Sequence, residues 1–383
     1  MSPAQRLTAV TGLLTFCFMG AIQALYGPLL PALQSRFGID AAAAGVIFSA
    51  HGGGALAGIL LPDVMRVLGR AWLALATALV ALGALVIALA PSWPVLLSGA
   101  CVLALGFGIH VVRLNSLFIT GFGARSATMS QLLNAAFSIG SVIGPLVLGV
   151  GAWAYPGFYG GIIAVSLALL PLCAMTDRRA SAAEPASPAR TPHPWQGETL
   201  LLLCAFAGLM SLAVGAENAI AGWMTSIALA RGLDAAQGAS MTAVLFGLIF
   251  LGRLFSAGFA HRMAARRLVL LALTFLCALL TISAATRCVV PALVLCGLAI
   301  APLFAGTLAW LAHTMPDPRR ANAPVIAGAL TGSALFPWLV GRIIGHWGID
   351  AAPGAILVIG LAALGLALAI RARTHSRTGE PRR

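Results

Sequence analysis

The sequence predicts an all-α polytopic membrane protein whose twelve transmembrane helices form two pseudo-symmetric six-helix bundles. Three observations carry that prediction. Hydrophobic residues fill 60% of the 383 positions and charged residues only 9%, with a mean hydropathy of +0.98, a composition that excludes a water-soluble globule of this size. Apolar windows of about 20 residues, each long enough to cross a ~30 Å hydrocarbon layer, follow one another with brief polar or Pro/Gly punctuation. The second half of the chain also repeats the first.

The windows begin near residues 7, 41, 71, 94, 126, 157, 200, 236, 268, 289, 321 and 352. The first, Leu7 to Leu33, follows a short basic start, but it is longer than the core of a cleaved leader and lacks a small-residue cleavage site, so it is expected to remain as a span. Short loops separate the windows everywhere except from Thr176 to Glu198, a polar, charged stretch rich in Pro, Ala and Ser that reads as a linker. The expected organisation is a bundle over 1–175, a cytoplasmic linker over 176–199 and a second bundle over 200–383 that ends in a short basic tail.

A net charge of +13 would suggest nucleic acid in a soluble protein, but every basic residue other than histidine is Arg, and the arginines cluster in alternate loops. With the N-terminus inside, Arg6, Arg66, Arg70, Arg125, Arg178, Arg179, Arg190, Arg262, Arg266, Arg267, Arg319, Arg320 and those from Arg371 onward share one side. Only Arg36, Arg231, Arg287 and Arg342 fall on the other. This asymmetry predicts an even number of spans in the cytoplasmic (inner) membrane, with both termini cytoplasmic, the lipid bilayer as partner and no nucleic acid bound. A monomer is expected.

The halves match in detail. Gly140 to Gly149, GSVIGPLVLG, recurs as Gly332 to Gly341, GSALFPWLVG, 192 residues on (332 − 140). Gly106 and Gly297 echo each other at nearly the same offset, and Arg66 and Arg70 close the second span as Arg262 and Arg266 close the eighth. A duplicated six-helix unit follows, the parallel-repeat plan of secondary transporters. A weaker echo, RFGIDAA, RGLDAA and HWGIDAA, places Asp40, Asp234 and Asp350 where helix N-caps are wanted.

Twelve spans in two halves, a mid-chain linker and Gly140-Ser-Val-Ile-Gly144-Pro145 in the fifth span together resemble the major facilitator superfamily over nearly the whole chain. That resemblance implies spans 1, 4, 7 and 10 around a central cavity. The superfamily's loop motif between spans two and three is degenerate here: Pro62, Arg66 and Val67 stand where Gly, Asp and Arg are expected, while Gly69 and Arg70 match. Asp63, three residues before Arg66, is a candidate replacement for the acid, so Asp63, Arg66, Arg70 and, in span 8, Arg253 are the gating candidates. Within the superfamily, Gly215-Ala-Glu217, Gly222-Trp223, Gly252-Arg253 and the Gly332, Pro337, Gly341 pattern resemble the fucose and glucose transporter-like branch. The acids of that branch's spans 1 and 4 have Gln23 and Arg113 in their helices instead, so sugar specificity does not carry over.

Glu217 is the focus. It is set well inside the apolar segment Leu200 to Ala230, whereas the other acids fall at segment ends or in loops and tails. A charged carboxylate at that depth costs at least ~2.5 kcal/mol unless it meets water, a partner or a proton. Glu217 and Asn218 are therefore the expected proton-coupling pair, and the GAEN stretch is expected to interrupt the helix. The alternative is that the segment slides and Glu217 caps or pairs near the outer interface.

The remaining binding candidates sit on the spans that the resemblance puts around the cavity. In span 4 these are Arg113, expected to pair with Glu217 as the only deep acid or to anchor solute, with His110 on the same face and Asn115 beyond; snorkelling is the rival for Arg113. Gln23 and Tyr26 share a face of span 1, suited to hydrogen-bonding solute or a neighbouring helix. Phe304, Thr307 and Trp310 offer an aromatic face on span 10, for core or cavity. His51 in span 2 reads as a packed, hydrogen-bonded histidine. Gly140, Gly144, Gly149, Gly332 and Gly341 suit close helix approach, with Pro145 and Pro337 bending their helices.

Seven cysteines without metal-ligand spacing read as free thiols, so no metal is expected. The absence of Lys and of any phosphate-cradling loop excludes an ATP-driven engine, and no nucleophile elbow or cofactor motif is present; neither cofactor nor enzymatic activity is expected. The function expected is secondary transport of a small organic solute, coupled to protons, with proton-driven efflux of drugs or other amphipathic compounds as the alternative. A non-transporting sensor, which would need an output domain, and a channel, which would need a filter or ring of charges, are the remote ones.

Overall fold

Helix starts are set by local chemistry. The Ser2 hydroxyl accepts from the Gln5 N–H at 3.2 Å while the Gln5 side chain accepts from the Ser2 N–H at 2.9 Å, a reciprocal cap with Pro3 in the first turn. The Asp317 carboxylate accepts from Arg320 N–H at 3.2 Å ahead of another Pro start. The three echoed glycines, Gly38, Gly232 and Gly348, all have positive φ, so that echo is a turn signature: a left-handed glycine followed by Asp40, Asp234 or Asp350.

The computed structural model describes residues 1–64, 71–150, 155–181, 195–259 and 263–378. Its helices are α1 (Pro3–Ala24), α2 (Tyr26–Phe37), α3 (Ala41–Ala44), α4 (Val46–Val64), α5 (Trp72–Ala88), α6 (Trp93–Thr120), α7 (Ser126–Val150) and α8 (Tyr155–Ser181). They continue as α9 (Gly197–Ala230), α10 (Ala235–Phe259), α11 (Ala265–Ala285), α12 (Val289–Ile300), α13 (Leu303–Thr314), α14 (Pro318–Trp347) and α15 (Ala352–Thr378). No strand occurs among the described residues. Among the described residues, eleven stretches are long and apolar enough to cross a membrane, and α5, the third expected span, is shorter at 17 residues. At ~1.5 Å per residue it reaches ~26 Å, a mismatch that a bilayer absorbs cheaply. Both ends of the Thr176 to Glu198 stretch are helical, since α8 runs to Ser181 and α9 starts at Gly197.

The interruptions fall elsewhere than expected. α9 runs unbroken through Gly215 to Asn218, which corrects the expected discontinuity there. Breaks occur instead between α1 and α2 at Leu25 and between α12 and α13 at Ala301 and Pro302. A mid-helix Gly costs only ~1 kcal/mol and α9 absorbs it, while Pro28 and Pro302, each lacking a backbone donor, lie beside the two breaks.

By its contacts the chain divides into two units. One comprises Met1–Asp40, Val46–Arg190 and Ala235–Ala243, the other Ala41–Gly45, Thr191–Asp234 and Val244–Arg383. In the first, α1 lies along α7, α4 and α5 along α6, and α5 along α8; in the second, α9 lies along α14 and α15, and α11 along α12 and α15. The duplicated glycines make equivalent contacts. A Cβ on Gly140 would collide with the Cys17 carbonyl of α1, and one on Gly332 with the Ser211 carbonyl of α9. Gly144 lies against the Ala21 carbonyl, Gly149 against that of Ala236, and Gly341 against the Trp223 ring and the Ala41 carbonyl. Pro145 and Pro337 sit inside α7 and α14.

Candidate functional site

Glu217 lies three to four residues past the midpoint of the 34-residue α9, about 5 Å along the axis at ~1.5 Å per residue. Its environment is fixed by how α9 meets α14. Gly215 packs on the Phe336 ring, and the Trp223 indole N–H donates to the Pro337 carbonyl at 2.9 Å. At 100° per residue, these contacts turn Glu217 to the side of α9 away from α14. The side chain is half-buried there, and its carboxylate interacts with the Arg253 guanidinium of α10. Asn218, beside it, donates to the Val214 carbonyl at 2.9 Å, one turn back on its own helix.

Arg113 lies in the first unit and Glu217 in the second; within the first, the Arg113 charge acts on Asp177. Asp177, at the end of span 6, is a second acid held inside the protein. Because α8 continues past Thr176, Asp177 is carried into the interior, 2% exposed, where its Oδ2 accepts from the Leu73 and Ala74 N–H groups at 2.9 and 3.0 Å. It serves as a remote N-cap for α5. The residue ahead of Trp72 is Ala71, which has no side chain able to bind the orphan amides. That missing cap is the one signal in the sequence that points to Asp177.

His110 is 1% exposed and faces α5, with Nε2 3.1 Å from Thr77 Oγ1. Since Thr77 donates its single proton to the Leu73 carbonyl at 2.8 Å, His110 carries its proton on Nε2, leaving Nδ1 as a bare acceptor among apolar atoms. Tyr26 is also buried, its hydroxyl 2.9 Å from His51 Nδ1, and the His51 ring meets Tyr26 and Phe107 edge-on at 4.9 and 5.3 Å. Tyr26 and His51 Nδ1 thus bond across spans 1 and 2, with His51 Nε2 buried and without a hydrogen-bond partner, an arrangement the pairing of Gln23 with Tyr26 did not foresee. Gln23 is half-buried, as are Arg113 and Asn115, the last donating to the Val111 carbonyl at 2.7 Å.

On span 10, Trp310 is 4% exposed and meets Phe206 edge-on at 5.3 Å, whereas Phe304 is half-buried. Arg253 is half-buried. Asp63 falls in the last turn of α4, its side chain outside the described residues, as are Arg66 and Arg70. No cluster of three metal-ligating side chains occurs among the described residues.

Two duplicated helical units, with membrane-length apolar helices and charged side chains held inside them, define a polytopic transporter rather than an enzyme. The chain belongs to the Major Facilitator Superfamily, whose family model matches residues 12–323. Among solved structures it is similar to a bacterial homologue of the human lysosomal transporter Spinster in an inward-facing, unoccupied conformation, with a TM-score of 0.77, 13% identity and 98% of each chain covered. It is also similar to the nucleoside transporter NupG, at a TM-score of 0.74 and 14% identity over 97% of this chain and 99% of that one. The E. coli fucose:proton symporter matches at a TM-score of 0.63 and 16% identity over 94% and 98%, so the likeness to that branch is loose. No curated protein is matched by the sequence.

Proposed function

We propose that this transporter moves a small organic solute across the cytoplasmic membrane by alternating access, coupled to protons at Glu217. The observation that carries this reading is a single one: a half-buried carboxylate near the midpoint of a membrane helix, with a guanidinium in electrostatic reach. A carboxylate whose distance from a guanidinium differs between two conformations binds a proton with different affinity in each. The fucose:proton symporter, a fold neighbour, gives an analogy for such coupling.

The working halves in this proposal are 1–175 and 200–383, joined by 176–199, with both termini cytoplasmic and the protein monomeric. Gln23, Asn115, Asn218 and Phe304, half-buried polar or aromatic groups on spans 1, 4, 7 and 10, are the solute-facing candidates. Tyr26, His110 and Trp310 act behind them by orienting helices, and Asp63, Arg66, Arg70 and Arg253 remain the gating set.

Proton-driven efflux is the second reading, favoured by the Gly140, Gly144 and Pro145 pattern in α7, which resembles a motif prominent in drug antiporters. Solutes that raise the melting point of the purified protein, drawn from sugars, amino acids, organic acids and lipophilic cations, supply the test compounds. Their uptake into right-side-out and inside-out vesicles under an imposed pH gradient separates import from export. Accumulation of none of them under either gradient would overturn the proposal.

A further inference from the structure

Two helices of the second unit, α9 and α15, leave a gap at one end. They meet where a Cβ on Gly208 would lie 3.2 Å from Leu366 Cδ2. From there toward the start of α9 and the end of α15 runs a groove of about 160 Å³. Leu202 and Ile370 are buried on its floor, and Leu201 and Ala369 are exposed on its rim. Every lining side chain is apolar except Arg373, which stands two turns and ~10 Å along α15 from Leu366, where that helix runs out of apolar residues.

Successive spans alternate in direction, so α9 and α11 begin at the end where α15 stops, and α11 lies along α15. Among the described side chains, these three helix ends carry Arg266, Arg267, Arg371 and Arg373 against one acid, Glu198. An excess of guanidinium at the membrane boundary attracts anionic headgroups, and an apolar slot just inside that boundary accepts a chain. Arg373 also interacts within the protein. With five N–H donors in a planar fork, a guanidinium can do so and still bind phosphate.

We propose that the groove between α9 and α15 binds an anionic phospholipid, one acyl chain lying from Leu201 and Ala369 inward to Leu366 and the phosphate held by Arg373. Both parts are needed. The groove alone does not distinguish headgroups, and the arginines alone do not distinguish a lipid from a free phosphate. The site is independent of the transport reading, since Glu217 lies ~24 Å beyond Leu201 along α9.

The test uses the purified, delipidated full-length protein in a nonionic detergent and three probes: dioleoylphosphatidylglycerol, dioleoylphosphatidylcholine with the same chains, and glycerol phosphate, the headgroup without chains. Phosphatidylglycerol should raise the melting point by about 2–4 °C, phosphatidylcholine by about half of that or less, and glycerol phosphate not at all. Arg373→Gln should reduce the phosphatidylglycerol response to that of phosphatidylcholine, and Ala369→Trp, which fills the groove from its exposed rim, should abolish the response to both. Arg231→Gln, at the opposite end of α9, should change none of the responses.

No response to phosphatidylglycerol, equal responses to the two lipids, a response to glycerol phosphate, or the same loss in Arg231→Gln would overturn the proposal. If Arg373→Gln or Ala369→Trp does not fold, photocrosslinking of the wild type decides. Phosphatidylglycerol with a diazirine in its acyl chain should label the α9 and α15 peptides that bear Leu201 and Ala369, and excess phosphatidylglycerol, but not phosphatidylcholine, should compete. Labelling of other helices alone, or labelling without that competition, overturns the site.

Discussion

Trp223 directs its only polar atom at the carbonyl of Pro337, 2.9 Å away in the interior of the second unit. Replacing it with Phe keeps the ring packing and removes the bond, so the purified protein should lose about 0.5–1.5 kcal/mol of stability, read as a lower melting point. The exposed ion pair between Arg231 and Asp350, at 2.7 Å, is the opposite case. With side chains 38% and 75% exposed it is screened by solvent, and Asp350→Asn should change stability by less than about 1 kcal/mol, with the difference vanishing at high salt. Shortness of contact does not rank these two; burial does. Glu217 stood out in the sequence as a lone acid in an apolar run, with capping or pairing near the outer interface as the alternative. Asp177 did not, because Thr176-Asp177-Arg178-Arg179 reads as the polar end of a span, and only packing against the uncapped start of α5 reveals why an acid is needed there.

At the scale of elements, hydropathy located the helices well, since every span must satisfy its backbone internally and bury or expose apolar side chains along its whole length. It could not locate the breaks. The GAEN stretch misled: Gly215 is there to admit the Phe336 ring, not to loosen the helix. The glycine contacts carry a sharp contrast. Gly332→Leu must push α14 off the Ser211 carbonyl and should cost about 1–3 kcal/mol, with loss of folded yield. Gly53→Ala, which meets nothing within 4 Å, should be neutral or slightly stabilising in its helix. Equal losses at the two positions, measured by thermal unfolding, would contradict the assignment of Gly332 to close approach.

For the whole molecule, duplication is the most informative property of the sequence, because a repeated decapeptide fixed two positions at once in the fold. Gly140 and Gly332 meet the carbonyls of Cys17 and Ser211 in corresponding helix pairs, α1 with α7 and α9 with α14. What the repeat leaves unequal is the charge. In the first unit Asp177, an acid on the last span of its half, is bound to the start of α5, while in the second Glu217 lies near the midpoint of α9. Function in this account lies in that asymmetry, since one acid is fastened to a helix start and the other is half-buried near the midpoint of its helix. The sequence alone could not show it, as the surroundings of each acid are decided by which helices touch.

Proton movement recorded with a pH-sensitive dye trapped in proteoliposomes tests the central claim most directly, using a solute selected by thermal shift. The wild type should move protons whenever the solute is added, and Glu217→Gln should exchange solute across the membrane without moving them. Solute-driven proton flux that persists undiminished in Glu217→Gln would contradict the account.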